Sequence, residues 1–117
     1  MITNSSKELL KGTLTTIILR LLSEKGKMYG YELAQCVKET TDGKILIKEG
    51  SLYPALHKLE ADGLIECEKR MIGKRTRKYY HLTPAGQTAT EKAINELLEF
   101  LNTVHHLITT ETLYGNT

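Results

Sequence analysis

The stretch LIECEKRMIGKRTRKYYHL, residues 64–82, decides how the rest of the chain is read. Leu64-Ile65-Glu66-Cys67-Glu68-Lys69 alternates apolar and polar residues, and Tyr80 and Leu82 do likewise on the return. Period-two alternation on both sides of Met71-Ile72-Gly73-Lys74-Arg75-Thr76 predicts a β-hairpin with that segment at its tip. The hairpin is basic. Residues 69–78 hold six of the sixteen cations (Lys69, Arg70, Lys74, Arg75, Arg77 and Lys78) and none of the fourteen acids. Outside this run ten cations face fourteen acids, so a net charge of +2 conceals a positive projection on an acidic remainder. A cluster of this kind can neutralise phosphates.

Working back toward the N-terminus, Leu52, Leu56 and Leu59 form an i, i+4, i+7 stripe ended by Gly63, predicting a helix from about Glu49 or Ser51 to Asp62. Pro54 belongs in or near its first turn, where a missing N–H costs little. At about 100° per residue the face opposite the leucines carries Pro54, His57 and Ala61, flanked by Ser51, Tyr53 and Lys58. This slim polar face suits a DNA major groove, which admits one helix and offers acceptors to Lys and His donors. A preceding helix opens at Gly30-Tyr31-Glu32, runs through Leu33, Ala34 and Val37, and stops in Thr40-Thr41-Asp42-Gly43. Between the two, Lys44-Ile45-Leu46-Ile47-Lys48 is a short β-branched run that reads either as one brief strand, the favoured reading, or as a packed extended connection. The first helix, from about residue 6 to 24, carries Leu9, Leu10, Leu14, Ile17, Ile18, Leu21 and Leu22 at spacings of three and four and ends at Gly26.

Beyond the hairpin, Thr83-Pro84 supplies an N-cap and a proline at the first helical position, and a long helix follows to about residue 109. Ile94, Leu97, Leu101, Val104 and Ile108 follow the a/d heptad spacing, which implies packing on another helix, of the same chain or a partner. Leu98, Phe100 and Leu107 widen the apolar surface. A helix appended to a complete small domain has little left to bury against in its own protomer, which favours a homodimer. The architecture expected is mainly α with a small β-hairpin wing: a winged helix-turn-helix over residues 1–83, a C-terminal dimerisation helix over 84–109, and a fraying tail over 110–117.

Composition excludes much else. The 117 residues suffice for one domain, and no segment approaches a membrane span or a secretory signal, so the expected setting is cytoplasmic. Cys36 and Cys67 form no C-x-x-C pair and read as buried thiols, not as a disulfide or zinc framework. No phosphate-binding glycine loop, dinucleotide fingerprint or G-x-S-x-G elbow is present. His105 and His106 diverge by about 100° on a helix and cannot readily chelate one metal together. No enzyme, cofactor or metal is expected. The alternative to DNA is a winged-helix protein-interaction module whose wing meets an acidic partner.

Four stretches also resemble the PadR-like transcriptional regulators: Tyr29-Gly30-Tyr31-Glu32-Leu33, Gly50-Ser51-Leu52-Tyr53-Pro54-Ala55-Leu56, Leu59 to Ile65, and Arg77 to Gly86. The resemblance spans residues 9 to about 108. It implies a bacterial or archaeal dimeric regulator, commonly a repressor, whose first and last helices build the dimer. Carried over by position, it implies contacts to double-stranded operator DNA from Tyr31, Ser51, Tyr53, Pro54, His57 and Lys58, with Lys74, Arg75, Arg77 and Lys78 from the wing. It implies a dimer interface built from Leu10, Leu14, Ile17, Ile94, Leu97, Leu98, Leu101, Val104 and Ile108, and structural roles for Gly63, Tyr80 and Gly86. The chain is of the family's short type. Leu97 stands where some short members place a tryptophan that binds flat aromatic compounds, so an effector is a partner of unspecified chemistry.

Overall fold

A computed structural model describes residues 8–114. The elements are α1 (Leu14–Lys25), β1 (Met28–Tyr29), α2 (Gly30–Thr40), α3 (Glu49–Ala61), β2 (Ile65–Ile72), β3 (Arg75–Leu82) and α4 (Pro84–Thr109). The three strands make an antiparallel sheet in the order β1-β3-β2.

The core lies between α1, α2, α3 and one face of the sheet. It is built from Leu14, Ile18, Leu19 and Leu22 of α1, Leu33 of α2, and Leu52, Leu56 and Leu59 of α3, closed by Met28, Ile65, Tyr80 and Leu82. Strand alternation assigns the sheet faces: Ile65 pairs with Leu82 and Cys67 with Tyr80 on the core side, and Glu68 pairs with Tyr79 on the other. The hairpin closes through two residues, Gly73 and Lys74, between Ile72 and Arg75. Gly73 has φ +64°, the positive value that a tight hairpin turn requires at its first central position and that glycine adopts without strain.

The start of α4 is fixed as the Thr83-Pro84 pair predicts: the Thr83 hydroxyl accepts a bond from the Gly86 N–H at 3.0 Å. The same hydroxyl donates to the Gly63 carbonyl at 2.7 Å, and the Thr83 N–H donates to the Leu64 carbonyl at 3.0 Å. Gly86 lies so close to this junction that a β-carbon on it would overlap the Leu64 carbonyl oxygen. From there α4 runs about 39 Å and packs chiefly on α1.

Four expectations require correction. The first helix is interrupted: residues 8–10 are helical, 11–13 turn, and α1 begins at Leu14. Gly12 at φ +90° cannot continue a right-handed helix, and Thr13 closes the turn with its N–H and hydroxyl both on the Leu10 carbonyl. The expected start near residue 6 and the end of the expected tail lie outside the described residues. Second, residues 45–48 form no strand; the Thr41 hydroxyl takes the Ile45 N–H at 3.0 Å. The place beside β3 belongs to Met28–Tyr29, a strand too short to show alternation. Third, Pro54 is the sixth residue of α3, in its second turn, and deprives the Gly50 carbonyl of its helical donor on the solvent side. Fourth, Cys36 and Cys67 are free but only half-buried.

Two tests follow from this packing. Gly86→Ala should lower the unfolding free energy by about 3 kcal/mol, measured by urea titration, because main chain must move to admit the methyl. Tyr80, 1% exposed, has its phenol pushed up to about 12 from the ordinary 10, first by burial and then by the neighbouring Cys67. The unfolded chain therefore releases this proton first, so stability is intact below pH 10 and falls as pH rises toward 12. Tyr80→Phe should remove that part of the alkaline decline in thermal midpoint.

Candidate nucleic-acid interface

Helix α3 divides into two faces. Leu52, Leu56 and Leu59 are buried, while Pro54, His57, Lys58 and Ala61 are exposed and Ser51 is half-buried beside them. Lys58 reaches Asp62 at 3.3 Å, an exposed pair within one helix turn that holds the lysine weakly. Tyr53 differs from its expected neighbours: its ring packs against the core, and its hydroxyl lies where a β-carbon on Gly30 would stand only 2.7 Å away. The absence of a side chain at Gly30 thus lets α3 approach the start of α2. There the Glu32 carboxylate accepts the Tyr29 N–H at 3.0 Å, and Tyr31 stands exposed.

The wing cations are not equivalent. Lys69 lies directly opposite Lys78, and Arg70 opposite Arg77, on adjacent rungs of the ladder. Like charges in such positions destabilise a hairpin. Arg70 is relieved by Glu68, whose carboxylate accepts from Arg70 Nε at 2.7 Å and from Lys27 Nζ at 3.1 Å; these two bonds hold it below the ordinary carboxylate pKa. Lys69, Lys74, Arg75 and Lys78 are exposed and make no ion pair among the described residues. Arg77 is half-buried at the base of the wing, its guanidinium carbon 4.1 Å from the centroid of the Tyr29 ring and its Nη1 donating to Tyr79 Oη at 3.5 Å. That hydrogen bond is the main cause of a pKa raised above the ordinary arginine value. No periodicity in the chain announces this contact, because Tyr29 meets Arg77 only through the pairing of β1 with β3.

A groove of about 640 Å³ separates residues 8–15 from α3, lined by Lys11 and Thr15 on one wall and Ser51, Pro54 and Lys58 on the other. Sequence reasoning missed Lys11, since a continuous first helix would not have bent there. Of the expected interface residues, Leu14 is 6% exposed within its own protomer's core. Leu10, Ile17, Ile94, Leu97 and Val104 are half-buried, and Leu98, Leu101 and Ile108 are exposed together with Phe100 and Leu107. No helix among the described residues is long and apolar enough to cross a membrane.

Comparison with known proteins agrees with this arrangement. Residues 18–92 match the model of the transcriptional regulator PadR-like family. An uncharacterised protein of Lysinibacillus sphaericus is 36% identical over 95 residues, covering 79% of this chain and 84% of that one. The transcriptional regulator Rv3488 of Mycobacterium tuberculosis is 50% identical over 54 residues, 44% of this chain and 50% of its own length. Among solved structures, a transcriptional regulator from Clostridium thermocellum superposes with a TM-score of 0.76 at 33% identity, over 84% of this chain and 95% of that one. A PadR family regulator from Eggerthella lenta gives 0.75 at 30% identity, over 92% and 91%. With its mainly helical winged fold and long C-terminal helix, the chain belongs to the PadR-like family of transcriptional regulators.

Proposed function

We propose that this DNA-binding regulator acts as a homodimeric repressor, reading a roughly palindromic operator with two α3 helices set in successive major grooves about 34 Å apart. The observation that carries the reading is the wing. Lys69 and Lys78 oppose each other across the strands with no carboxylate among the described residues bonded to either, and Lys74 and Arg75 extend the charge to the tip. A polyanion relieves that repulsion, and phosphates flanking a groove filled by α3 are the polyanion this placement fits. In this reading Ser51, Pro54, His57 and Lys58 face the groove, Lys11 and Tyr31 stand at its margins, and Tyr53 contributes by seating α3 on α2. Residues up to 83 form the DNA-binding unit, and residues 84–109 form the dimerisation helix.

The dimer is supported by the apolar stripe of α4. Leu98, Leu101 and Ile108 are at least 49% exposed in the protomer, and with Phe100 and Leu107 they form a contiguous patch of the kind that soluble proteins cover. Leu10, Ile17, Ile94, Leu97 and Val104 border it with half-covered side chains. Leu14 adds nothing to this surface because it is already inside.

Fluorescence anisotropy against the protein's own upstream intergenic DNA and a shuffled duplex tests the reading. Preference for the native duplex by ~10³ or more is expected, with a log-log salt slope near ~−5 if each wing neutralises about three phosphates. Lys74→Ala with Arg75→Ala should weaken both duplexes alike and flatten the slope, whereas His57→Ala should change the preference between sites. A slope near zero, or no binding to either duplex, would refute the reading. Sedimentation of Leu101→Glu with Ile108→Glu should show monomers where the parent chain sediments as a dimer, since two carboxylates cannot be buried unpaired.

A further inference from the structure

The outer face of the sheet carries a continuous aromatic and cationic stack. Tyr29 and Tyr79 are cross-strand partners on β1 and β3, their rings edge to face with centroids 5.4 Å apart. Arg77 lies over Tyr29, and Arg70 lies over Tyr79 at 4.9 Å from its centroid. Tyr31 stacks against Tyr29 at 6.2 Å with the ring planes 20° apart. Tyr29 and Tyr79 thus touch directly, with Tyr31 and Arg77 on Tyr29 and Arg70 on Tyr79.

The two arginines in this stack are held differently. Arg70 is bound to the Glu68 carboxylate, so its charge is answered. Arg77 makes no ion pair among the described residues. A tyrosine ring face and one phenol oxygen fix its orientation, and neither removes its charge. A guanidinium has five N–H donors, and the single bond to Tyr79 leaves most of them free. An arginine held this way loses little side-chain freedom when an anion arrives.

We propose that Tyr29 and Tyr79 are positioning residues for DNA binding, holding Arg77 oriented, with no carboxylate bonded to it among the described residues, so that it meets a phosphate without being ordered first. This rests on the DNA-binding reading above.

The test compares Tyr29→Leu, Tyr29→Phe, Tyr79→Phe and Arg77→Ala in the full chain, each checked for an unchanged far-ultraviolet circular dichroism spectrum. On the upstream duplex at low salt, Tyr29→Leu should bind about tenfold more weakly, as ordering one long side chain on binding costs roughly that factor. Tyr29→Phe keeps the ring face and should bind within about twofold of the parent. In the Arg77→Ala background Tyr29→Leu should add no further loss. Without DNA, the ¹⁵N guanidinium signals of Arg77 should show hindered rotation in the parent and in Tyr29→Phe, and free rotation in Tyr29→Leu. If Tyr29→Leu does not fold, Tyr79→Phe, which removes only the accepting hydroxyl, should still weaken binding about threefold. Parent-like binding by Tyr29→Leu, full additivity with Arg77→Ala, or an unaltered Arg77 signal overturns the proposal while leaving the DNA-binding reading intact. A parent chain that binds neither duplex overturns both.

Discussion

The contact between Gly86 and the Leu64 carbonyl sets the geometry on which the other elements depend. Leu64 follows α3 and leads into β2, Thr83 joins β3 to α4, and Gly86 lies in the first turn of α4. Because Thr83 bonds to Gly63 and Leu64 while capping α4, four elements meet at one small joint with no room for a β-carbon. The direction in which α4 leaves the sheet is therefore set at its start by main-chain contact and by a proline-started helix, and is continued by its packing on α1. Any surface that α4 presents to a second chain inherits its orientation from this joint.

A second close approach governs the other side of α3. Tyr53 meets Gly30 through its hydroxyl end, so one tyrosine side chain sits between α3 and the start of α2, and β1, immediately before Gly30, pairs with β3 in the sheet. That placement brings Tyr29 over Arg77. The charge pattern of the wing then becomes intelligible: Glu68 and the tyrosines accommodate one pair of opposed arginines, while the lysine pair one rung away is left to solvent.

Much of this was legible in the chain. The leucine stripe of α3, the alternation of β2 and β3 and the Thr83-Pro84 start of α4 are each local patterns, and a local pattern survives folding when tertiary packing agrees with it. The family resemblance rested on those same segments. What escaped detection was set by distant partners or by single dihedral angles. Apolar spacing ran straight through Gly12 because periodicity registers side chains and ignores φ. Met28–Tyr29 has no pattern of its own and becomes a strand only because β3 offers a free edge. Lys44–Lys48 has strand-forming residues but pairs with no strand of the sheet, so its β-branched composition did not decide its conformation. Among the candidate contacts, the outward positions of α3 followed from helix geometry alone, whereas the separate character of Tyr53 and Arg77 depended on residues far away in the chain.

The division of α3 has a consequence for how such a protein diversifies. Pro54, His57, Lys58 and Ala61 touch neither the leucine core nor Gly30, so exchanging His57, Lys58 or Ala61 for other helix-tolerant residues should leave stability within about 0.5 kcal/mol. Tyr53, half-buried against the core and seated beside Gly30, has no such latitude. One scaffold can accordingly carry many different outward faces, and gene duplication could yield paralogues that fold alike and share a wing while addressing different sites.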